Sequence, residues 1–179
     1  MTRGSTLPAH PLSRPTGRVA IPGQTRTSPA PPLDGFNTAP AEEAHHALLT
    51  CLRSPRWARR IADHRPYPTV EALLAASDEA AYDLTAGDLA EALAGECLPT
   101  LPEGTYEAAH TALGAAHAAY EARFGHVFVI CLDGVPQDEV LDHVLGGIRS
   151  RLTNDPEEER VVTAEELRRL AGQRLTQLL

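Results

Sequence analysis

The hydrophobic positions of this chain recur mostly at intervals of three and four residues, which is the spacing of one face of an α-helix. Residues 44–52 are an early example, and the longest such pattern covers residues 105–124. Ala and Leu dominate these segments, and both favour helices, whereas the aromatic residues that favour strands make up only 4% of the chain. The pattern predicts an all-α protein, a compact bundle of seven or eight helices.

Residues that commonly cap helices separate these segments. Ser54, Thr69 and Thr85 each precede an apolar-periodic stretch, and Thr38 stands two residues before Pro40 at the start of an earlier one. Thr163 is followed three residues later by a glutamate, which is the pattern of a capping box. We therefore expect helices to begin near these five positions, the last of them at Thr163.

A short apolar run at residues 127–132 interrupts the helical pattern. It lies between Gly125, a predicted C-cap of the long helix, and the Asp133-Gly134 pair. Periodicity does not distinguish a strand from a buried turn in so short a run, and both interpretations stay open. Beyond Pro136 the spacing is again helical.

Residues 1–33 differ in composition from the rest of the chain. They are rich in Pro, Ser, Thr and Arg, and such a segment buries too little apolar surface to offset the entropy of ordering it. We expect a disordered arm there and a helical domain over residues 34–179. The 42% of hydrophobic residues is enough for a core in a domain of that size.

Charge and cysteine usage exclude several function classes. The formal net charge is −8, and the arm holds four arginines and no acid, so the domain is more acidic still. An acidic domain repels phosphate backbones, which argues against nucleic acid as a partner. No stretch reaches the ~18 apolar residues that would indicate a membrane span. The three cysteines lie far apart, with no pair at metal-binding spacing, so we expect reduced thiols in a cytoplasmic protein.

The histidines offer few candidates for chemistry. His110 and His117 are seven residues apart and share a face of the long helix, which either lines a pocket or packs against a neighbour. His45 and His46 are expected on an exposed helix, with no carboxylate or cysteine at metal-ligand spacing. The acidic run at residues 155–159 is interpreted as a solvated helix start.

Arg174 lies in the last predicted helix between two apolar positions, Leu170 and Leu175. A guanidinium in that place either grips a carboxylate in a bidentate fork or forms a surface ion pair with Glu165 or Glu166. The residues alone leave both interpretations open.

Several blocks of residues 36–179 resemble the OHCU decarboxylase family in order and spacing. The blocks are residues 54–57 (SPRW), 66–68 (PYP), 120–131 (YEARFGHVFVIC), 151–156 (RLTNDP) and 165–175. The resemblance implies an all-α domain, usually a homodimer, that acts on a small molecule. It implies removal of the carboxylate of 2-oxo-4-hydroxy-4-carboxy-5-ureidoimidazoline to give S-allantoin in urate breakdown, with no metal or organic cofactor.

The resemblance also implies a set of site residues. Substrate binding falls to the apolar run and to the late arginine; the residues are Phe128, Val129, Ile130, Cys131, Leu132 and Arg174. By count, Glu96 stands where the family has the histidine of a His-Pro pair. Thr105 and Glu107 belong to a changed form of the family's Ser-x-x-Glu-Gln element. Glu96 and Glu107 are therefore the predicted catalytic residues, and Thr105 is a further predicted substrate contact.

These departures at the chemical positions leave several hypotheses. In a working decarboxylase, Glu96 would serve as the acid in a desolvated site, or His110 would swing in. The chain could instead act on a related ureido compound, or bind a ligand or protein partner without turnover. A binding protein would let Glu96 face solvent, and a purely structural module would fill the pocket with Leu98 or Leu101.

Overall fold

The structure, a computed structural model, describes residues 32–98 and 107–179, and those residues form eight α-helices with no strand among them. The predicted all-α bundle is therefore confirmed. Residues 1–31 of the predicted arm lie outside the described residues, and the first helix begins at Pro32. The helices are α1 Pro32–Thr38, α2 Ala41–Cys51, α3 Pro55–Asp63, α4 Val70–Tyr82, α5 Ala86–Ala94, α6 Glu107–Phe124, α7 Val140–Arg151 and α8 Pro156–Leu178.

Three of the predicted helix starts are confirmed in detail. The side-chain oxygens of Ser54, Thr69 and Thr85 each accept a hydrogen bond from the backbone N–H three residues later, at the starts of α3, α4 and α5. At α5 the carboxylate of Asp88 also accepts from the Thr85 N–H, which completes a capping box. Gly125 follows α6 with φ of 78°, the left-handed conformation that favours glycine at a helix end.

Two predicted starts are wrong. Thr38 is the last residue of α1, and Pro40 precedes α2 without a side-chain cap. The last helix begins seven residues before Thr163, because Asp155 accepts from two backbone N–H groups and forms a capping box with Glu158, with Pro156 at the first helical position. At 23 residues, α8 rather than the 18-residue α6 is the longest helix.

Two apolar clusters form the core. The larger lies between α2, α3, α4 and α8, around Leu48, Trp57, Leu73 and Leu167, which are all fully buried. The smaller lies between α6 and α7 and comprises Leu113, Tyr120, Phe128, Val144 and Ile148. Each such side chain stabilises the fold by about 1.5–3 kcal/mol relative to an exposed one. No helix in the described part of the chain is long and apolar enough to cross a membrane.

The apolar run at residues 127–132 is an extended segment, neither a strand nor a helical turn. Its side chains alternate between the two clusters, with Val129 in the larger and Phe128 in the smaller. Arg151 Nη1 donates to the Val129 carbonyl at 2.7 Å, and the Cys131 N–H donates to Glu166 Oε2 at 2.6 Å. These two bonds fix the segment in the absence of a strand partner.

The expected solvated start of the last helix is wrong at one residue, because Glu159 is fully buried. Its Oε1 accepts from Arg151 Nε at 2.8 Å and from the hydroxyl of Tyr120, and its Oε2 accepts from Asn154 at 2.8 Å. Burial opposes the charge on Glu159, but the hydrogen bonds from Arg151 and Tyr120 hold its pKa below the usual value. Burial and the bond to Glu159 raise the pKa of Tyr120 to about 12.

Candidate active site

A cavity of about 1060 Å³ opens between the C-terminal ends of α2 and α5, the 127–132 segment and α8. The segment contributes Phe128, Val129, Ile130 and Leu132 to its wall. Ala94, the last residue of α5, and residues 95–98 after it form a second wall, and α8 adds Arg174. Segments that are distant in the sequence therefore meet at one concave site, which is typical of ligand pockets.

Glu96 and Arg174 meet inside this cavity. The two carboxylate oxygens of Glu96 accept one hydrogen bond each from Arg174 Nη1 and Nη2, both at 2.7 Å. The Glu96 side chain is only 5% exposed and that of Arg174 is 33% exposed. Arg174 Nη1 also donates to the backbone carbonyl of Cys51, at 3.0 Å, so both of its terminal nitrogens are engaged.

The ion pair is held from both sides by the backbone. The N–H of Glu96 donates to the Leu93 carbonyl at 3.1 Å, so Glu96 continues the last turn of α5. Its hydrogen bonds and charge raise the pKa of Arg174 against the opposing effect of burial. Arg174 therefore stays protonated, and Glu96 acts in this geometry as a hydrogen-bond acceptor on both oxygens.

The alternative of a surface ion pair for Arg174 is wrong. Glu165 pairs with Arg168, and Glu166 pairs with Arg169 and accepts the Cys131 N–H. The predicted interpretation of Arg174 as a carboxylate-binding fork describes its geometry, but the carboxylate belongs to the protein itself.

The predicted site residues do not all reach the cavity. Cys131 is not among the cavity-lining residues: its thiol is buried and donates to Gln173 Oε1 at 3.8 Å. Glu107 is exposed at the start of α6 and is not among the cavity-lining residues, and Thr105 lies outside the described residues. Their predicted roles stay predictions.

The remaining histidine and leucine hypotheses divide in the same way. His110 is exposed and does not line the cavity. His117 is buried, with its ring centroid 6.0 Å from that of Phe128, so the packed alternative is confirmed for this residue. Burial lowers the pKa of His117. Leu98 is 43% exposed at the cavity edge and does not fill it, and Leu101 is outside the described residues.

Sequence reasoning missed the wall that α2 contributes. His46, Thr50 and Arg53 line the cavity, and so does Glu91 of α5. His46 and Thr50 stand four residues apart on one face of α2, which a search for polar faces as well as apolar ones would have found, whereas Arg53 follows the end of that helix. Together with Arg174 and Glu96 they surround the cavity with both signs of charge and one imidazole.

This arrangement suits a small polar ligand that carries an anionic group and several N–H donors. Guanidinium groups bind carboxylates, and carboxylates accept from amide-like N–H groups. Within residues 32–98 and 107–179, no three His, Cys, Asp or Glu side chains lie close enough to hold a metal ion.

Comparisons with known proteins identify the fold and the family. The family model described as OHCU decarboxylase matches residues 37–103 and 100–176. No curated protein matches the chain. A crystal structure of (S)-allantoin synthase is 19% identical with a TM-score of 0.66, covering 82% of this chain and 53% of its own, so this chain spans about half of that protein. A crystal structure of OHCU decarboxylase in the presence of (S)-allantoin is 20% identical with a TM-score of 0.64, covering 78% of this chain and 98% of its own.

Proposed function

Because the chain belongs to the OHCU decarboxylase family, we propose that it is a carboxy-lyase of urate breakdown. Its proposed substrate is 2-oxo-4-hydroxy-4-carboxy-5-ureidoimidazoline, and its proposed product is (S)-allantoin. The observation that carries this proposal is the position of Glu96 inside the cavity, bound through both oxygens to Arg174. A binding protein without turnover was expected to expose Glu96, and a structural module was expected to fill the cavity.

The reaction sets clear demands on the site. The bond between the ring carbon and the carboxylate breaks, CO₂ leaves, and the electron pair left on the ring carbon takes up one proton. The site must therefore orient the carboxylate, stabilise the charge that develops on the ring, and deliver a proton to one face. Delivery to a single face is what makes the product one enantiomer.

Glu96 and Arg174 together meet the requirement for orientation. A carboxylate held on both oxygens by a protonated guanidinium is a fixed acceptor, and the ureido and ring N–H groups of the substrate are donors. Phe128, Val129, Ile130 and Leu132 of the 127–132 segment line the same cavity. Since both oxygens of Glu96 accept hydrogen bonds from Arg174, we assign Glu96 to substrate binding rather than to proton delivery.

The proton then needs another source, and His46 is the imidazole that lines the described part of the cavity. Imidazole exchanges protons readily near neutral pH, which suits it to donate to a carbanion and to be recharged by solvent. His46 is exposed on one side, so water reaches it. We therefore propose His46 as the general acid in place of the family histidine. The predicted homodimer and the cytoplasmic location stay predictions.

The experiment follows allantoin formation from freshly generated substrate by circular dichroism, which reports rate and handedness together. We expect the wild type to accelerate formation of the S enantiomer, and Glu96→Gln and His46→Asn each to lower kcat about 100-fold or more. His110→Asn is the matched control outside the cavity and should retain activity. If allantoin forms at the spontaneous rate and as a racemate in the presence of the wild type, the proposal fails and the chain shares only its ancestry with the decarboxylases.

A further inference from the structure

The cavity has a second arginine that the chemistry above does not use. Arg53 follows α2 by two residues and lines the cavity, yet it forms no hydrogen bond or ion pair with any residue of the described ranges. In Arg174, by contrast, both terminal nitrogens already donate hydrogen bonds, to Glu96 and to the Cys51 carbonyl. Among the residues that the structure describes, the cavity guanidinium open to an incoming anion is therefore that of Arg53.

Gly95 places the stem of Arg53 across the cavity wall. A Cβ atom at position 95 would lie 2.9 Å from Arg53 Cβ, 2.8 Å from its Cγ and 2.1 Å from its Cδ. The backbone of Gly95, with φ −94° and ψ −10°, is one that any residue adopts. Position 95 therefore needs a glycine because the Arg53 side chain occupies the space of a Cβ atom, and not because of its backbone conformation.

The charges beside Arg53 define what it would bind. Gly95 directly precedes Glu96, so the Arg53 side chain lies next to the Glu96–Arg174 pair, and Glu91 lines the same cavity. A ligand held here meets one open guanidinium and two carboxylates. A carboxylate group satisfies the first, and ureido N–H groups satisfy the others.

We infer that Arg53 is the residue that binds the carboxylate of the ligand, and that the site selects ureido compounds that carry a carboxylate over those that lack one. This inference rests on the proposed function and names the substrate contact that the family resemblance does not supply. It also gives product release a physical basis, since loss of CO₂ removes the group that Arg53 holds. Arg53 would then act on KM more than on kcat.

Calorimetric titration with two stable probes tests this preference. Allantoate carries two ureido groups and a carboxylate, whereas (S)-allantoin carries a ureido group and no carboxylate. We expect the wild type to bind allantoate at least tenfold more tightly, and Arg53→Gln to lose that preference with little change for (S)-allantoin. Arg59→Gln is the matched control, because Arg59 is an exposed arginine of α3 that does not line this cavity.

The inference is overturned if Arg53→Gln keeps the preference for allantoate, if Arg59→Gln loses it equally, or if the wild type shows none. The decarboxylation assay separates this result from the proposed function. A wild type that shows an Arg53-dependent preference without accelerating allantoin formation supports the inference and refutes the lyase. If the wild type is active and Arg53→Gln leaves its KM unchanged, the lyase is supported and the inference about Arg53 is refuted.

Discussion

Arg151 and Glu159 form an ion pair that is almost completely buried, with side chains 8% and 1% exposed. Arg151 Nη1 also donates a hydrogen bond to the carbonyl of Val129, which lies in the cavity wall. Its guanidinium also lies 4.6 Å from the ring centroid of Phe128. The pair therefore joins the helical scaffold of α7 and α8 to the segment that lines the candidate active site.

Breaking this pair should strongly destabilise the fold. Arg151→Met leaves the Glu159 charge buried without its partner, and we expect the free energy of unfolding in urea to fall by about 3–5 kcal/mol. The double variant Arg151→Met/Glu159→Leu should recover much of that loss, because no uncompensated charge remains. Arg160→Gln, which breaks the exposed pair with Glu157, is the control and should leave the urea midpoint nearly unchanged. An equal loss in the single and double variants would contradict this account.

His117 should make stability depend on pH just below neutrality. Burial lowers its pKa from 6.5, an effect larger than the opposing influence of Glu121, so the unfolded chain binds a proton more readily than the folded one. Stability is then complete above pH 6.5 and falls as the pH drops toward the folded-state pKa. Melting temperatures measured from pH 7 to 5 should fall less steeply in His117→Met than in the wild type. The exposed His110→Asn variant should follow the wild type, and a wild-type slope in His117→Met would refute the assignment.

Two glycine-to-alanine substitutions should change stability in opposite directions. Gly114 lies in the interior of α6 with nothing within 4 Å of an added Cβ, so Gly114→Ala should stabilise the protein by about 0.5–1 kcal/mol. Gly95→Ala should instead destabilise it, because the new Cβ meets the stem of Arg53. Thermal unfolding of both variants checks the signs. In an Arg53→Ala background the penalty at position 95 should shrink, and a penalty of unchanged size would place the clash elsewhere.

The three thiols should differ in reactivity. Cys97 is exposed at the cavity, whereas Cys51 and Cys131 are buried, and burial raises the pKa of Cys51. We expect iodoacetamide to modify Cys97 at least about tenfold faster than the other two, as followed by mass spectrometry of peptides. Allantoate should slow this modification if it occupies the cavity. Equal labelling of all three cysteines would show that the native core is open.

Local signals in the sequence predicted much of the fold. Ser54, Thr69 and Thr85 cap their helices through bonds that span three residues, so the sequence pattern contains both partners. Thr163 carries the same local pattern, but its hydroxyl accepts from Arg151 at 2.9 Å inside the network. Thr163 therefore bonds to Arg151, a residue outside its own helix, instead of capping that helix. A pattern of local spacing does not predict such a contact.

The candidate site was less accessible to sequence reasoning for the same reason. The resemblance singled out Glu96 and Arg174 separately, yet their contact joins residues 78 positions apart and depends on how α5 and α8 pack. Arg53 and His46 carried no family signal: His46 lies on α2, whose apolar face had explained its pattern, and Arg53 follows the end of that helix. Only the assembled cavity shows that both residues line a ligand-sized space.

The Glu96–Arg174 pair also determines which solutes the cavity ignores. The fold tethers Glu96 beside Arg174, so it competes with every dissolved anion at an effective concentration on the order of millimolar or higher. Chloride, phosphate and small organic acids below that level do not displace it. Arg174 is thus shielded from background anions, and discrimination among dissolved carboxylates passes to the open guanidinium of Arg53.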